Sequence, residues 1–320
     1  MERRRIGTTG VHVPPLMFGT SSLGNMPDTY GYEVDDGLAL ATLRQILDGP
    51  VNCLDTSNNY GFGRSEARIG AAFAESGGVP DDFVISTKLD RDMETGRFDS
   101  DRVRRSIEES LERLGVGHVQ LLHLHDPEHA RDLAEITVAG GALDELFRLK
   151  EEGLAKAVGL AMGRVDMQLQ MIRNWPFDAL INHNRMTVIN RSADAMFDDA
   201  HNRGIAILNA APFAGGVLAK GSEVMPRVTY QPADDRMLAP VRRIEAICAD
   251  HGIAPGALAL QFSLRDPRIT STIVGVSRPE RVQQTLDWAA APIPDEAWER
   301  VEALGHATDD PEAARDYRPG

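Results

Sequence analysis

Cysteine is almost missing from this chain. Cys53 and Cys248 are the only two among 320 residues, and neither has a second Cys or a His at metal-ligand spacing. A disulfide-stapled scaffold is excluded, no metal site is expected, and both thiols read as reduced and buried. No apolar run reaches the ~18 residues of a membrane helix. The basic start MERRRIGTTG is not followed by the apolar stretch of a secretory signal, so the chain reads as cytoplasmic. Positive charge is scarce: 34 Lys and Arg stand against 48 Asp and Glu, a net of −14. That balance argues against nucleic acid or an anionic membrane as partner, while leaving room for a local basic pocket for a phosphate. Low-complexity segments and short-period repeats are also missing. An apolar fraction of 42% with 26% charged residues excludes a disordered chain.

Eight short apolar, β-branched-rich runs alternate with longer segments of helical period. They are PLMFGTSSL from Pro15, VNCLDTS from Val51, FVISTKL from Phe83, VQLLHLH from Val119, AKAVGLA from Ala155, DALINHN from Asp178, IAILNAA from Ile205 and STIVGV from Ser271. Amphipathic stretches at 101–114, 142–152, 192–203 and 279–290 lie between them. In the first, Asp101 is placed to cap, Ile107, Leu111 and Leu114 form a buried stripe, and Glu108, Glu109 and Glu112 fall on the solvent side. Gly153 reads as the stop of the second.

Eight strand–helix repeats predict an α/β protein, a (β/α)8 barrel spanning 1–320 as one domain. A doubly wound sheet is the rival, but no glycine fingerprint follows the first strand. The leading RRRIGTTGVHV reads as a β-hairpin closing the barrel bottom. The long Pro- and Gly-containing connection 217–238 reads as a lid or as plain surface loop. The tail DDPEAARDYRPG reads as peripheral.

Reactive residues of a barrel sit at the C-terminal strand ends. Those ends hold Asp55, Lys88 and His125, with Tyr60 just past Asp55. A phenol with a pKa of about 10 is a poor base at neutral pH, and a nearby ammonium lowers that value. Lys88 supplies such a charge, Asp55 holds Lys88, and His125 is placed to donate to a substrate oxygen. The set suits proton transfer at an alcohol or carbonyl coupled to hydride transfer. Taken singly, each residue has a plainer reading: a turn cap, a loop aromatic, a surface lysine, a satisfied core histidine. Alternation places His123 deeper, as a structural residue. His118, His129 and His183 show no informative spacing. Tyr30, Tyr32, Phe62 and Tyr230 read equally as pocket lining or as packed loop aromatics.

At these residues the chain resembles the aldo-keto reductase superfamily over nearly its whole length. The resemblance is carried by LDTSNNYGFGRSEARIG (54–70), the STK ending at Lys88, RRSIEESLERLGVGHVQLLHLHDPE (104–128), LKEEGLAKAVGL (149–160), AAPFAGGVLA (210–219) and VGVSRPERV (274–282). It implies a catalytic tetrad of Asp55, Tyr60, Lys88 and His125, with Tyr60 as general acid in reduction and general base in oxidation. It also implies NAD or NADP bound across the barrel mouth. Gly19 and Thr20 match the segment near the nicotinamide, and Asn182 the holder of its carboxamide. Pro212, Phe213, Ala214, Gly215 and Gly216 match the pyrophosphate loop. Gly275, Ser277, Arg278, Arg281 and Gln284 match the adenosine end.

Three departures stand out. Ala161–Met162 replace a Ser-Asn pair, Ala210 replaces a stacking aromatic, and Gly275 replaces a lysine for the 2′-phosphate. The last predicts dual cofactor use or a tilt towards NAD. LDTSNNYG, LLHLHDPE and NAAPFAGG are most similar to the sugar-dehydrogenase branch, of the D-threo-aldose 1-dehydrogenase and L-galactose dehydrogenase type. That implies oxidation of the anomeric carbon of an L-fucose-, L-galactose- or D-arabinose-like aldose to a lactone. The alternatives are an NADPH-dependent aldehyde or ketone reductase, a pyridoxal dehydrogenase, or a slow-turnover, cofactor-sensing partner subunit.

Overall fold

The structure, a computed structural model, describes residues 2–313 and residue 315. Seven of the eight apolar runs contain a whole strand, and the eighth holds most of one that starts two residues earlier: β1 Leu16–Gly19, β2 Cys53–Asp55, β3 Val84–Leu89, β4 Val119–His125, β5 Ala155–Ala161, β6 Ala179–His183, β7 Ala206–Ala210 and β8 Ile269–Gly275. They are parallel, pair in chain order and close through β8 against β1, giving a (β/α)8 barrel. The register brings the C-terminal ends to one rim, where Gly19 pairs with Asp55, His125 with Ala161, His183 with Ala210 and Gly275 with Gly19.

The outer layer contains α1 Asp36–Leu47, α2 Arg64–Glu75, α3 Ser100–Leu114, α4 Ala142–Glu151, α5 Val165–Asn174, α6 Asp194–Asn202, α7 Asp235–Asp250, α8 Pro255–Arg265, α9 Pro279–Ala290 and α10 Asp295–Ala303. In α3 the cap is Asp99 rather than Asp101: its side chain accepts the Arg102 amide at 3.0 Å, and Asp101 falls in the first turn. Gly115 ends the helix in the left-handed conformation. Val103, Ile107 and Leu114 are buried, each contributing roughly 1.5–3 kcal/mol. Glu109 is not a solvent residue, because it bonds Arg102 and Asn58 at 3.0–3.1 Å. Gly153, with φ 82°, lies just past the end of α4.

Arg4–Arg5 and His12–Val13 pair as the expected hairpin. Arg4 donates to the Ile269 carbonyl at 2.6 Å, at the start of β8, so the hairpin covers the barrel bottom. Its Ile6, Val11 and Val13 complete a core with Met17, Cys53 and Leu121. Both cysteines are buried and free.

Segment 217–238 is not a featureless loop. It holds a helical turn at Val217–Lys220 and a two-stranded ribbon, Arg227–Val228 with Gln231–Pro232. The described tail is not peripheral either. The Pro311 carbonyl accepts from Thr229 and Gln231, and Glu312 accepts from Asn184 at 2.5 Å and pairs with Arg315 at 2.7 Å. It straps the β6 and β7 loops at the barrel mouth because a buried carboxylate there has cationic and amide partners. Among the described residues no helix is long and apolar enough to cross a membrane. None of their His, Cys, Asp and Glu side chains group to hold a metal.

Candidate active site

Strand β2 delivers Asp55 to the rim and β3 delivers Lys88 beside it. Both are almost fully buried, with Lys88 Nζ 2.7 Å from Asp55 Oδ2, 2.6 Å from the Thr56 carbonyl and 3.2 Å from Tyr60 OH. Ser86 donates to the other Asp55 oxygen at 2.8 Å. The turn carrying Tyr60 is locked by Gly61. Its φ is +60°, and a Cβ there would lie 1.9 Å from the Gly24 carbonyl oxygen, so only glycine fits. Strand β4 brings His125 up on the other side, its ring 5.9 Å from the Tyr60 ring and nearly perpendicular to it. Asp55, Tyr60, Lys88 and His125 are thus one cluster, and all four line one cavity at the barrel mouth.

A residue that sequence reasoning missed completes the cluster. Asp90, just beyond β3, lies 2.7 Å from His125 Nδ1 through Oδ1. Its Oδ2 accepts from Ser57 Oγ at 2.5 Å and from the Asn59 amide at 2.9 Å. Burial alone would push the Asp90 carboxyl up, but His125, Ser57 and the Asn59 amide hold it below its ordinary pKa. Burial likewise opposes a charged His125, yet Asp126 and Asp90 outweigh it and leave the imidazole above its usual pKa.

For Tyr60 the balance runs against the expectation of a lowered phenol. Burial, reinforced by Asp55, pushes it well above 10. The Lys88 charge is matched by Asp55 at 2.7 Å, so the phenol faces a neutralised pair rather than a bare ammonium. His123 sits fully buried below the rim, where burial and Lys88 push it down to about 3.

The cavity runs on from Tyr60 past Gly19, Pro212, Phe213, Gly215 and Gly216 to Gly275, Ser277, Arg281 and Gln284. Ala161, Met162 and Ala210 also line it, and Phe213 packs edge-on against Trp288 at 5.7 Å. Lys220, which sequence reading passed over, reaches the same end. Burial and then Arg281, Arg278 and Arg227 hold its pKa down. Among the described residues Lys220, Arg278 and Arg281 form no ion pair with a carboxylate. A positive φ at Gly215 and Gly216 keeps that wall free of Cβ atoms, and a Cβ at Gly275 would meet open space. A clustered set of cations beside a bare backbone wall is what an anionic dinucleotide requires, so these residues fit the nicotinamide cofactor.

Four expected site residues are elsewhere. Asn182 is fully buried on the helix-facing side of β6, its amide donating to Met162, Gly163 and Gln168. Alternation along β6 gives the cavity to Ile181 and His183 instead. Thr20 is likewise buried, its hydroxyl bonding the Asp55 carbonyl at 3.0 Å to tie β1 to β2. Ala214 packs into the core, and Arg278 does not line the cavity, although its charge reaches Lys220 there. Of the four aromatics, Tyr30, Tyr32 and Tyr230 line the cavity, whereas Phe62 is 67% exposed and does not.

A closed parallel barrel with Asp55, Lys88, Tyr60 and His125 clustered at its rim, beside a cleft lined by glycines and cations, places the chain among (β/α)8 barrels with a polar site at the strand ends. The profile of the aldo/keto reductase family matches residues 15–306, and the chain belongs to that family. It is an NAD(P)-dependent oxidoreductase of small-molecule carbonyl substrates. It is 30% identical to a D-threo-aldose 1-dehydrogenase from Pseudomonas sp, over 90% of this chain and 93% of that protein. It is 29% identical to L-galactose dehydrogenase from Arabidopsis thaliana over 89% of this chain and 87% of the relative. A pyridoxal 4-dehydrogenase from Microbacterium luteolum is 27% identical over 95% and 97% of the two chains. Among solved structures, the holo form of an aldo-keto reductase from Bacillus halodurans superposes with a TM-score of 0.78, covering 99% of this chain and all of its own at 20% identity.

Proposed function

We propose that the protein oxidises the anomeric carbon of an aldose to a lactone. The observation that carries this reading is the convergence of the Tyr60 hydroxyl and the His125 ring on one cavity. Tyr60 is the proton-transfer residue at the reacting oxygen. Lys88 and Asp55 fix its hydroxyl, and His125 orients the oxygen through Nε2. The nicotinamide cofactor supplies the hydride acceptor in oxidation and the donor in reduction. Residues 211–216 would border its pyrophosphate, with Ser277, Arg281 and Gln284 towards its adenosine end. In the oxidative direction Tyr60 would take the proton of the anomeric hydroxyl, with the C1–H bond turned towards the side of the cavity where the nicotinamide would lie. Tyr30, Tyr32 and Tyr230 line the cavity and supply aromatic surface for the apolar side of a sugar ring. The similarity to D-threo-aldose 1-dehydrogenase and L-galactose dehydrogenase supports the same class of substrate.

One observation favours a second reading. A phenol held well above 10 is protonated at neutral pH, which suits a general acid in carbonyl reduction. Cofactor reduction at 340 nm separates the two, with L-fucose, L-galactose, D-arabinose, L-xylose, D-glucose, D-galactose and pyridoxal tested against NAD and NADP. Turnover of one stereochemical subset of sugars supports the aldose dehydrogenase. Silence on all sugars, with NADPH-driven reduction of simple aldehydes, replaces it with a carbonyl reductase.

A further inference from the structure

Asp126 follows His125 directly and lines the same cavity. Its backbone is left-handed, with φ 44°, and its amide donates to the Ala161 carbonyl at 2.8 Å. The residue is 9% exposed, yet among the described residues its side chain enters no hydrogen bond; its Oδ2 stands 3.7 Å from His125 Nε2. Asn59, on the Tyr60 side of the same cavity, is also buried, and its Oδ1 has no partner. A buried acceptor without a partner is costly, so Asn59 Oδ1 awaits a donor, and the Asp126 carboxylate, open to the same cavity without a hydrogen bond of its own, can take a second one from a ligand. Plain aldehydes carry no donor to do so. Polyhydroxylated substrates do.

We propose that Asp126 reads the hydroxyl on the carbon next to the reacting carbon, accepting its hydrogen while His125 Nε2 donates to the reacting oxygen. The inference rests on placing Tyr60 and His125 at that oxygen. Neighbouring oxygens on adjacent carbons are separated by about a hydrogen-bond length, comparable to the gap between Nε2 and Asp126 Oδ2. A carboxylate only accepts, so it selects a neighbour that is a hydroxyl over the ring oxygen, which has no hydrogen to give. The substrate class that follows is the α-hydroxyaldehydes, with aldoses as their cyclic form.

The test is Asp126→Asn. Asn tolerates the left-handed turn better than other residues, so the variant keeps the backbone and loses the charge. Wild type and variant are compared on two matched pairs: D-arabinose against 2-deoxy-D-arabinose in oxidation, and lactaldehyde against propanal in reduction. Wild type is expected to prefer each hydroxylated member by at least about tenfold in kcat/KM. The variant should lose on that member alone, so that the ratio collapses. An equal loss on both members would mean that Asp126 acts through the charge of His125, and it overturns the inference, as does an unchanged ratio. Turnover of the lactaldehyde pair without any aldose sinks the aldose reading and leaves the second pair to decide this one. No turnover of either pair overturns both.

Discussion

Asp90 Oδ1 lies 2.7 Å from Nδ1 of His125, and this contact decides which ring nitrogen serves the cavity. With Nδ1–H donated to the carboxylate, a neutral ring has a bare Nε2, and only the protonated ring donates from Nε2. His125 is held above its usual pKa by Asp126 and Asp90, so the donating form persists to higher pH than in an ordinary imidazole. Carbonyl reduction should therefore fall as pH rises through that raised value. Asp90→Asn removes one of the two charges supporting the imidazolium. Its reductive kcat should fall by about tenfold or more at pH 7, with the falling limb moved to lower pH. A pH–rate profile identical to wild type would show that Asp90 is only structural.

Oxidation should show the opposite slope. Tyr60 must accept a proton, and burial with Asp55 holds its phenol well above 10, so the phenolate is rare at neutral pH. Oxidative kcat should climb with pH into the alkaline range, while Tyr60→Phe removes at least about a thousandfold of turnover in both directions. Quenching of tryptophan fluorescence by the cofactor should be retained in that variant. Near-normal turnover would strip Tyr60 of its role.

The Asp55–Lys88 pair ties activity to stability. Both side chains are at most 5% exposed, and the ammonium is held by three oxygens. Lys88→Met leaves a buried carboxylate with Ser86 as its remaining donor, at a cost of about 3–5 kcal/mol. The melting temperature should fall by several degrees. The double variant Asp55→Asn/Lys88→Met should fall by less than the sum of the two single variants, because no lone charge remains. Additive losses in thermal unfolding would argue against a coupled pair.

Much of this was legible in the primary structure because the barrel repeats a strong local signal. Seven of the eight strands lie wholly inside apolar runs, β8 starts two residues ahead of its own, and the strand-end positions of Asp55, Lys88 and His125 follow from counting along them. Errors arose where one residue decides a face. Asn182 and His183 are neighbours on β6, and a shift of one turns a cavity residue into a helix-facing one. Thr20 shows the same effect one step past Gly19. The Asp90–His125 contact was hidden for a different reason: 35 positions separate the pair, and only the β3–β4 pairing brings them together. The strap from Pro311 and Glu312 to the β6 and β7 loops was equally out of reach, since polar composition says nothing of which buried partners await it.

The cofactor's phosphate end gives a prediction that separates two kinds of cation. Gly275 removes one expected partner for a 2′-phosphate, but Lys220 and Arg281 both line the cleft. They approach from different elements: Lys220 closes the turn after the bare 211–216 wall, and Arg281 stands in the first turns of α9, its guanidinium bonded to Gln284. A charge beside the pyrophosphate wall serves both cofactors equally, whereas one at the adenosine end meets the extra phosphate of NADP alone. Lys220→Ala should therefore weaken NAD and NADP binding alike. Arg281→Ala should weaken NADP by about tenfold or more and NAD little, since a charge-assisted bond is worth about 1.5–3 kcal/mol. Calorimetric titration of both cofactors reads the pattern directly. Selective loss of NADP in the Lys220 variant would move the 2′-phosphate to Lys220, and equal losses in both variants would place both cations at the pyrophosphate.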